Sequence, residues 1–267
     1  MKYILLCAAA LLLCLLCAWL PAHLIGKKKG LKRPVTLLIA FGLGLLFIFA
    51  VTAGYLGIYC HADESASVTC DAVELKTIDG GYFFDGPGDE TALIFYPGAK
   101  VETLAYAPLL TSLAERGVDC FLADMPFRMA IFDGGRAEKF QNAYAYETWA
   151  AAGHSMGGLM ISSYAAEHAD FVDCLILLGA YPNGMIPEDM EMLSIYGSKD
   201  GCLNRDAYEA GREYWPATAS EYVLPGGNHA YYGNYGEQDG DLAAEITREE
   251  QQAVTAEKIL EFIGRCK

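Results

Sequence analysis

Two long runs of apolar residues, 3–25 and 35–59, dominate the N-terminal part of the chain. Each run exceeds the roughly 20 residues that an α-helix needs to cross a bilayer. Between them, residues 27–33 read KKKGLKR, with five basic residues and no acidic one. Short loops rich in lysine and arginine stay on the cytoplasmic side of a membrane. The pattern therefore predicts a membrane anchor made of two transmembrane helices, with both outer ends on the extracytoplasmic side.

The alternative for this region is a cleaved signal peptide followed by a single anchor helix. The first run is long, and it lacks a clear small-x-small cleavage site before its polar flank. We therefore favour a multi-pass protein of the cell membrane. In both interpretations the bulk of the chain lies outside the cytoplasm.

Beyond a polar connector, 61–72, the pattern changes to short apolar runs separated by stretches with helical periodicity. Near-continuous apolar strands that alternate with helices are typical of a mostly parallel sheet with helices on both faces. Residues 73–267 are long enough to form one domain with a full core. The fold class predicted is therefore α/β. The strands are predicted at 91–97, 118–126, 148–153, 173–182, 190–201 and 220–227, and the helices at 101–117, 157–169 and 248–265.

Charge and cysteine content exclude some functions for this domain. Residues 34–267 carry 13 basic and 34 acidic residues, a net charge of −21, which disfavours nucleic acid as a partner. The chain has no Cys-x-x-Cys pair, and EQDGD, 237–241, lacks the full spacing of a calcium loop. Cys120 and Cys174 lie in apolar runs and are expected to be buried free thiols. We predict no metal and no cofactor.

One short motif carries candidate chemistry, GHSMGG at residues 153–158. The pattern Gly-x-Ser-x-Gly is weak by itself, but here it follows a predicted strand and precedes a predicted helix. In that setting the turn projects the serine from the end of the strand, and the flanking glycines let strand and helix approach. Ser155 is therefore a candidate nucleophile. The backbone N–H of Met156 is a candidate oxyanion donor.

A nucleophilic serine needs a general base and an orienting acid. Of the five histidines, His229 follows the last predicted strand in a glycine-rich loop, where an imidazole can reach the carboxyl edge of the sheet. Asp200 directly follows another strand in YGSKDG and is the preferred acid, although Asp124 and Asp206 are competing carboxylates. The second oxyanion donor is expected from the loop YPGAK, 96–100, with the backbone N–H of Ala99 as first choice and that of Lys100 next. An ordinary strand-to-helix turn would have the same composition.

Four segments occur in an order that resembles a known family: IFYPGAKVE, GHSMGG, GSKDG and GGNHAYYGNYGEQDGD. From about Val73 to Arg265 the chain is similar to the small, nearly lidless α/β-hydrolases of the dienelactone-hydrolase-like and fold-5 groups. The resemblance implies Ser155 as nucleophile, His229 as base and Asp200 as acid. It also implies Ala99 and Met156 as the oxyanion hole.

These observations predict a membrane-anchored serine hydrolase that cleaves a carboxylic ester or a thioester, with a small-molecule or lipid-like substrate. A peptidase with the same triad is one alternative, and an idle scaffold that kept the fold is another. The oligomeric state stays open. The segment 181–189 is too short for a cap domain. Beside the site, MPFRMAIF (125–132) supplies Phe127, Met129, Ile131 and Phe132, which would line an acyl pocket, rest on the membrane or pack in a core or lid.

Overall fold

A computed structural model describes the backbone of residues 2–266 and the side chains of residues 16–266. The chain divides between Ile58 and Tyr59 into two compact units. The segment 61–72, expected to be a connector, belongs to the second unit. There the backbone N–H of Asp63 donates to the carbonyl of Asn234 over 2.9 Å, and its carboxylate pairs with Arg248 over 2.7 Å.

The first unit consists of two packed helices, α1 (Lys2–Lys29) and α2 (Arg33–Gly57). None of the residues of α2 is buried. Among the described residues, α2 is the one helix long and apolar enough to cross a membrane, a criterion that an N-terminal signal sequence also meets. The side chains of residues 3–15, in the first predicted membrane helix, lie outside the described part of the chain. The structure thus gives one candidate span where the sequence predicts two.

The second unit is built on an eight-stranded mixed sheet in the order β1-β2-β4-β3-β5-β6-β7-β8. Strands β3 to β8 run parallel, whereas β2 is antiparallel to both β1 and β4. The strands are β1 (Glu74–Ile78), β2 (Gly81–Asp85), β3 (Thr91–Tyr96), β4 (Asp119–Ala123), β5 (Thr148–His154), β6 (Cys174–Leu178), β7 (Glu191–Gly197) and β8 (Ser220–Leu224).

Helices cover both faces of this sheet and create a hydrophobic core on each side. Along β3, Leu93 and Phe95 face one core while Ile94 and Tyr96 face the other, as the alternation of side chains along a strand requires. Helices α3 and α7 contribute to the first core, and α4 and α5 to the second. The helices of this unit are α3 (Ala107–Ala114), α4 (Ala137–Ala143), α5 (Met156–Glu167), α6 (Arg205–Ala210) and α7 (Arg248–Ile263).

All six strands predicted from the apolar runs are present, most of them shorter than predicted. The helix predicted at 101–117 is a 3₁₀ turn, Thr103–Tyr106, followed by α3. The sequence alone missed β1, β2, α4 and α6. Strand β1 lies at the edge of the sheet and is largely exposed, so it has no apolar run. The dipeptide Asp79-Gly80, which joins β1 to β2 with Gly80 at φ 94°, is the hairpin signal that marks this pair.

Strand β5 is rich in alanine, a residue with low strand propensity, yet it lies at the centre of the sheet between β3 and β6. Ala150 and Ala152 are buried in one core and Ala151 in the other. Small side chains let α5 pack closely on this strand. Packing against the helix therefore outweighs local propensity here.

Cys120 and Cys174 are buried and free, as predicted. Burial raises the pKa of Cys120, and a hydrogen bond with Cys266, together with burial, raises that of Cys174. Both thiols are therefore protonated in the folded chain and act as small apolar side chains.

Candidate active site

Ser155 lies on the turn between β5 and α5, where the backbone adopts φ 53° and ψ −122°. This region is sparsely populated by residues other than glycine and stores about 1–3 kcal/mol of strain. A backbone hydrogen bond from Ser155 to the carbonyl of Leu178, 3.0 Å long, ties the turn to β6. The serine consequently sits at the carboxyl end of the sheet, half-buried at the N-terminus of α5.

Two glycines make this turn sterically possible. A Cβ atom at Gly153 would lie 2.6 Å from the carbonyl carbon of Gly157, and one at Gly157 would lie 2.2 Å from the carbonyl oxygen of Tyr96. Neither contact is tolerable, so α5 approaches β5 and β3 only because both side chains are absent. The glycines of the GHSMGG motif thus serve the packing that aims Ser155.

His229 and Asp200 form a buried pair at the same edge of the sheet. Asp200 follows β7, His229 follows β8, and Nδ1 of the imidazole lies 2.8 Å from Oδ2 of the carboxylate. A carboxylate only accepts hydrogen bonds, so Nδ1 carries the proton and Nε2 keeps its lone pair. The pair therefore has the tautomer that a general base requires.

Asp200 is itself held by the backbone that follows it. Its Oδ1 accepts hydrogen bonds from the N–H groups of Cys202 and Leu203 at 3.0 and 2.8 Å. Gly179, at φ 53°, packs beside the pair: a Cβ there would lie 3.0 Å from both Asp200 Oδ2 and His229 Nδ1. The loop after β6 thus limits the room for the Asp200–His229 pair.

Ser155 and His229 line one cavity of about 220 Å³, whose other walls include Tyr181, Leu203 and Asn204. Among the residues that the structure describes, no hydrogen bond joins the hydroxyl of Ser155 to the imidazole of His229. Such bonds are often long in unliganded hydrolytic sites and shorten when substrate binds. The cavity therefore brings a hydroxyl and a base to one space open to solvent.

The competing carboxylates lie elsewhere. Asp124 accepts a 2.7 Å hydrogen bond from the hydroxyl of Thr103 and lines a different cavity of about 480 Å³, together with Arg128 and Arg136. Asp206 lies in the first turn of α6. Of the three candidate acids, Asp200 is the one in contact with His229.

The two predicted oxyanion donors, Met156 and Ala99, follow the carboxyl ends of two neighbouring strands, β5 and β3. Met156 is the first residue of α5, and Ala99 is in the loop after β3; both are half-buried. Within residues 2–266, neither backbone N–H donates a hydrogen bond to another protein group. Lys100, the next residue, adopts φ 58° and its N–H donates to the carbonyl of Arg128 over 2.7 Å, which fixes the path of the loop around Ala99.

A hydrogen-bond chain behind the site was not found from the sequence. The N–H of Gly98 donates to the hydroxyl of Tyr106 over 3.0 Å, and that hydroxyl lies 2.8 Å from Nδ1 of His154. The chain thereby connects the loop that carries Ala99 to the residue before Ser155.

His154 is 1 % exposed, and its ring centroid lies 4.5 Å from that of His229. Burial, and then the electrostatic influence of His229, hold the pKa of His154 well below its usual 6.5, although the backbone of His229 partly opposes this shift. Burial also raises the pKa of Tyr106. Both groups are therefore neutral. The one sequence signal for this role is the position of His154 inside the GHSMGG motif.

Among residues 16–266, no cluster of three or more His, Cys, Asp or Glu side chains is arranged to bind a metal ion.

Comparisons with known proteins identify the family of this chain. A sequence model described as the alpha/beta hydrolase family matches residues 92–253, more than half of the chain. No curated protein matches the sequence significantly.

Several solved structures share the fold at low sequence identity. Est1E from Butyrivibrio proteoclasticus is 17 % identical with a TM-score of 0.52, over 73 % of this chain and 100 % of its own. A dienelactone hydrolase from Anabaena variabilis is 14 % identical with a TM-score of 0.52, over 72 % and 99 %. A membrane phospholipase A, described as a bacterial virulence factor, is 15 % identical with a TM-score of 0.54, over 84 % and 99 %. The resemblance seen in the sequence is confirmed, and the chain belongs to the α/β-hydrolase family.

Proposed function

We propose that this protein is a membrane-anchored serine hydrolase that cleaves carboxylic esters or thioesters by acyl transfer. The observation that carries the proposal is the buried hydrogen bond between His229 and Asp200. His229 lines the same cavity as Ser155, whose backbone is strained. The combination of an oriented base with a hydroxyl on a sharp strand-to-helix turn suits nucleophilic catalysis.

The first half of the reaction forms an acyl-enzyme. Nε2 of His229 takes the proton of Ser155 as Oγ bonds to the carbonyl carbon of the substrate. The negative oxygen that develops accepts hydrogen bonds from the N–H groups of Ala99 and Met156. When the tetrahedral intermediate collapses, the bond to the leaving alcohol or thiol breaks, and His229 returns the proton to that leaving group.

The second half releases the acid. His229 takes a proton from water, whose oxygen attacks the acyl carbon, and the proton then returns to Ser155 as the ester bond breaks. Through both halves Asp200 stays ionised, fixes the tautomer of His229 and stabilises its positive form. The backbone N–H groups of Cys202 and Leu203 hold Asp200 in place for this role.

An ester or thioester fits the site better than a large polymer. The segment between β6 and β7 is short, and the cavity at Ser155 is small and open. The similar structures include a dienelactone hydrolase and a membrane phospholipase A. We therefore propose a small-molecule or lipid-like substrate, and the charge of −21 on residues 34–267 disfavours nucleic acid as a partner.

The N-terminal unit is proposed to anchor the enzyme as a two-helix membrane hairpin with the catalytic domain outside the cytoplasm. The apolar composition of α2 and the basic segment 27–33 support this topology. An epitope tag after Lys267 should be detected on intact cells. Detection only after permeabilisation would invert the proposed orientation.

A fluorophosphonate probe tests the chemistry directly, because it reacts with activated serines. The detergent-solubilised wild-type chain should be labelled, whereas Ser155→Ala and His229→Ala should not. Ser163→Ala is a matched control, since Ser163 lies on the same helix but donates to Asn183 instead, and it should label like wild type. A folded wild-type chain that resists labelling would favour the idle scaffold, and a labelled chain that cleaves peptides but not esters would favour the peptidase.

A further inference from the structure

We propose that the loop 125–132 inserts into the surface of the bilayer in which α2 ends, so that the mouth of the candidate site opens at the lipid interface. The proposal rests on the membrane-anchoring part of the proposed function, and it holds whether or not Ser155 is the nucleophile. The partner proposed for the apolar surface of this loop is a lipid leaflet and not another protein.

The loop exposes a cluster of large apolar side chains. Phe127, Ile131 and Phe132 are 56 %, 57 % and 55 % exposed, and the rings of the two phenylalanines meet edge to face at 5.7 Å. Met125 and Ala130, from the same loop, are buried in the core. A single exposed apolar residue needs no explanation, whereas several together on an anchored loop indicate an interaction surface.

The backbone of the loop is held in an uncommon conformation that keeps this surface in place. Phe127 and Arg128 both adopt left-handed conformations, with φ 53° and 58°, which consecutive residues other than glycine rarely do. Arg128 N–H donates to the carbonyl of Met125, and the carbonyl of Arg128 accepts from Lys100. These bonds fix the loop on the segment that carries the predicted oxyanion donor Ala99.

The loop also contacts the point at which the chain emerges from α2. Tyr59 follows Gly57, the end of α2, by two residues, so chain continuity alone keeps it within about 7 Å of the end of that helix. The guanidinium of Arg128 lies 3.5 Å from the centre of the Tyr59 ring. Tyrosine and arginine are typical of the boundary between lipid headgroups and acyl chains.

A second set of contacts strengthens this link. Cys60, next to Tyr59, pairs with Val101 as a parallel bridge. Its N–H donates to Lys100 over 2.7 Å, and its carbonyl accepts from Glu102 over 2.9 Å. The segment that follows α2 is therefore fixed at once to the oxyanion loop and to the loop 125–132, which carries the exposed apolar cluster.

The loop 125–132 also packs against an element of the candidate site. The turn Ala130–Phe132 packs against α5, the helix that begins directly after Ser155. Insertion of this turn would therefore bring α5 close to the leaflet from which a lipid-like ester would enter.

Photo-crosslinking of the full chain in phosphatidylcholine vesicles tests the insertion. Benzoylphenylalanine is placed at Phe127, at Phe132 or, as a matched control, at Phe171. Phe171 is 64 % exposed but precedes β6, and so lies at the amino ends of the parallel strands, whereas the loop 125–132 lies at their carboxyl ends. Probes at 127 and 132 should couple to lipid with yields about tenfold or more above the probe at 171, as expected for side chains inserted at the boundary of the acyl chains.

Each other outcome overturns the proposal. The proposal is wrong if the probe at Phe171 couples to lipid as strongly as the other two, or if no probe couples to lipid. It is also wrong if the probes at Phe127 and Phe132 couple to a second copy of the chain. A chain that alkaline carbonate extracts from the vesicles would overturn both the insertion and the membrane anchor. Failure of the hydrolase assignment is separate, because it shows only in the fluorophosphonate reaction and leaves the crosslinking pattern readable.

A second measurement connects insertion to substrate access. The double variant Phe127→Ser and Phe132→Ser should hydrolyse a short water-soluble ester at the wild-type rate but a long-chain ester in vesicles about tenfold more slowly. Phe171→Ser should leave both rates unchanged. Equal loss on both substrates would indicate damage to the site itself and would contradict the insertion.

Discussion

Replacement of Tyr106 by phenylalanine removes one oxygen atom and leaves the packing of the ring intact. That oxygen accepts the N–H of Gly98 over 3.0 Å and lies 2.8 Å from Nδ1 of His154. Tyr106 and His154 are at most 1 % exposed, so water does not replace the lost contacts. The variant therefore isolates the hydrogen-bond chain behind the candidate site.

The expected loss of stability follows from the two groups left without partners. Each buried polar group that loses its partner costs about 1–3 kcal/mol, so the free energy of unfolding should fall by about 2–6 kcal/mol. Gly98 directly precedes Ala99, the proposed oxyanion donor. Complete loss of such a donor lowers kcat about 10²–10³-fold, so its displacement should lower kcat about tenfold to hundredfold.

Both quantities can be measured on the detergent-solubilised chain, stability by urea unfolding and kcat with a p-nitrophenyl ester. Tyr96→Phe is the control, because the Tyr96 hydroxyl is also buried and also makes two hydrogen bonds, to Ala137 N–H and the Gly134 carbonyl. It should lose similar stability and keep its kcat. If both variants lost the same kcat, or if Tyr106→Phe lost stability alone, the hydrogen-bond chain would have no part in positioning the oxyanion loop.

Three further substitutions examine neighbouring features. Burial holds the pKa of His154 well below 6.5, so below about pH 6.5 the unfolded chain binds a proton that the folded chain does not, and stability falls by up to about 1.4 kcal/mol per pH unit. His154→Gln should flatten this part of the plot of urea midpoint against pH. An unchanged slope would mean that other groups cause the loss of stability. Asp200→Asn should lower kcat about 10⁴-fold with intact folding, whereas Asp124→Asn should have little effect; the reverse result would identify the wrong acid. Gly179→Ala places a Cβ atom 3.0 Å from both members of the Asp200–His229 pair, at a residue with positive φ. It should cost about 1–3 kcal/mol of stability and lower kcat. A wild-type rate would show that the pair tolerates displacement.

Strands β3 to β7 were predictable because they are largely buried on both faces and so appear as apolar runs. Strand β1 has no such run, since it lies at the exposed edge, and local pattern carries little information there. Strand β5 is the opposite case, because its alanines suit the close packing of α5 and not an isolated strand. The predicted boundaries exceeded the observed ones where apolar residues continue into buried loops, as after β6 at Ala180.

For the candidate site, the sequence indicated the residues that follow strands, because parallel strands deliver their carboxyl ends to one edge. It did not indicate Tyr106, which meets His154 across 48 positions of the chain. A tyrosine within a predicted helix carries no local sign that its hydroxyl bonds two distant loops. Long-range polar contacts of this kind depend on the three-dimensional packing, and pattern analysis does not reach them.

Only Ile58 separates α2 from the second unit, where Cys60 is already hydrogen-bonded to Lys100 and Glu102. A hydrolase held in this way by the proposed membrane anchor would not diffuse through bulk water to find the proposed lipid-like ester. Its encounters would take place within the plane of the leaflet, at a rate set by the mole fraction of substrate among the lipids. Dilution of the ester with inert phospholipid should therefore slow turnover, even when the amount of ester per volume of solution stays constant.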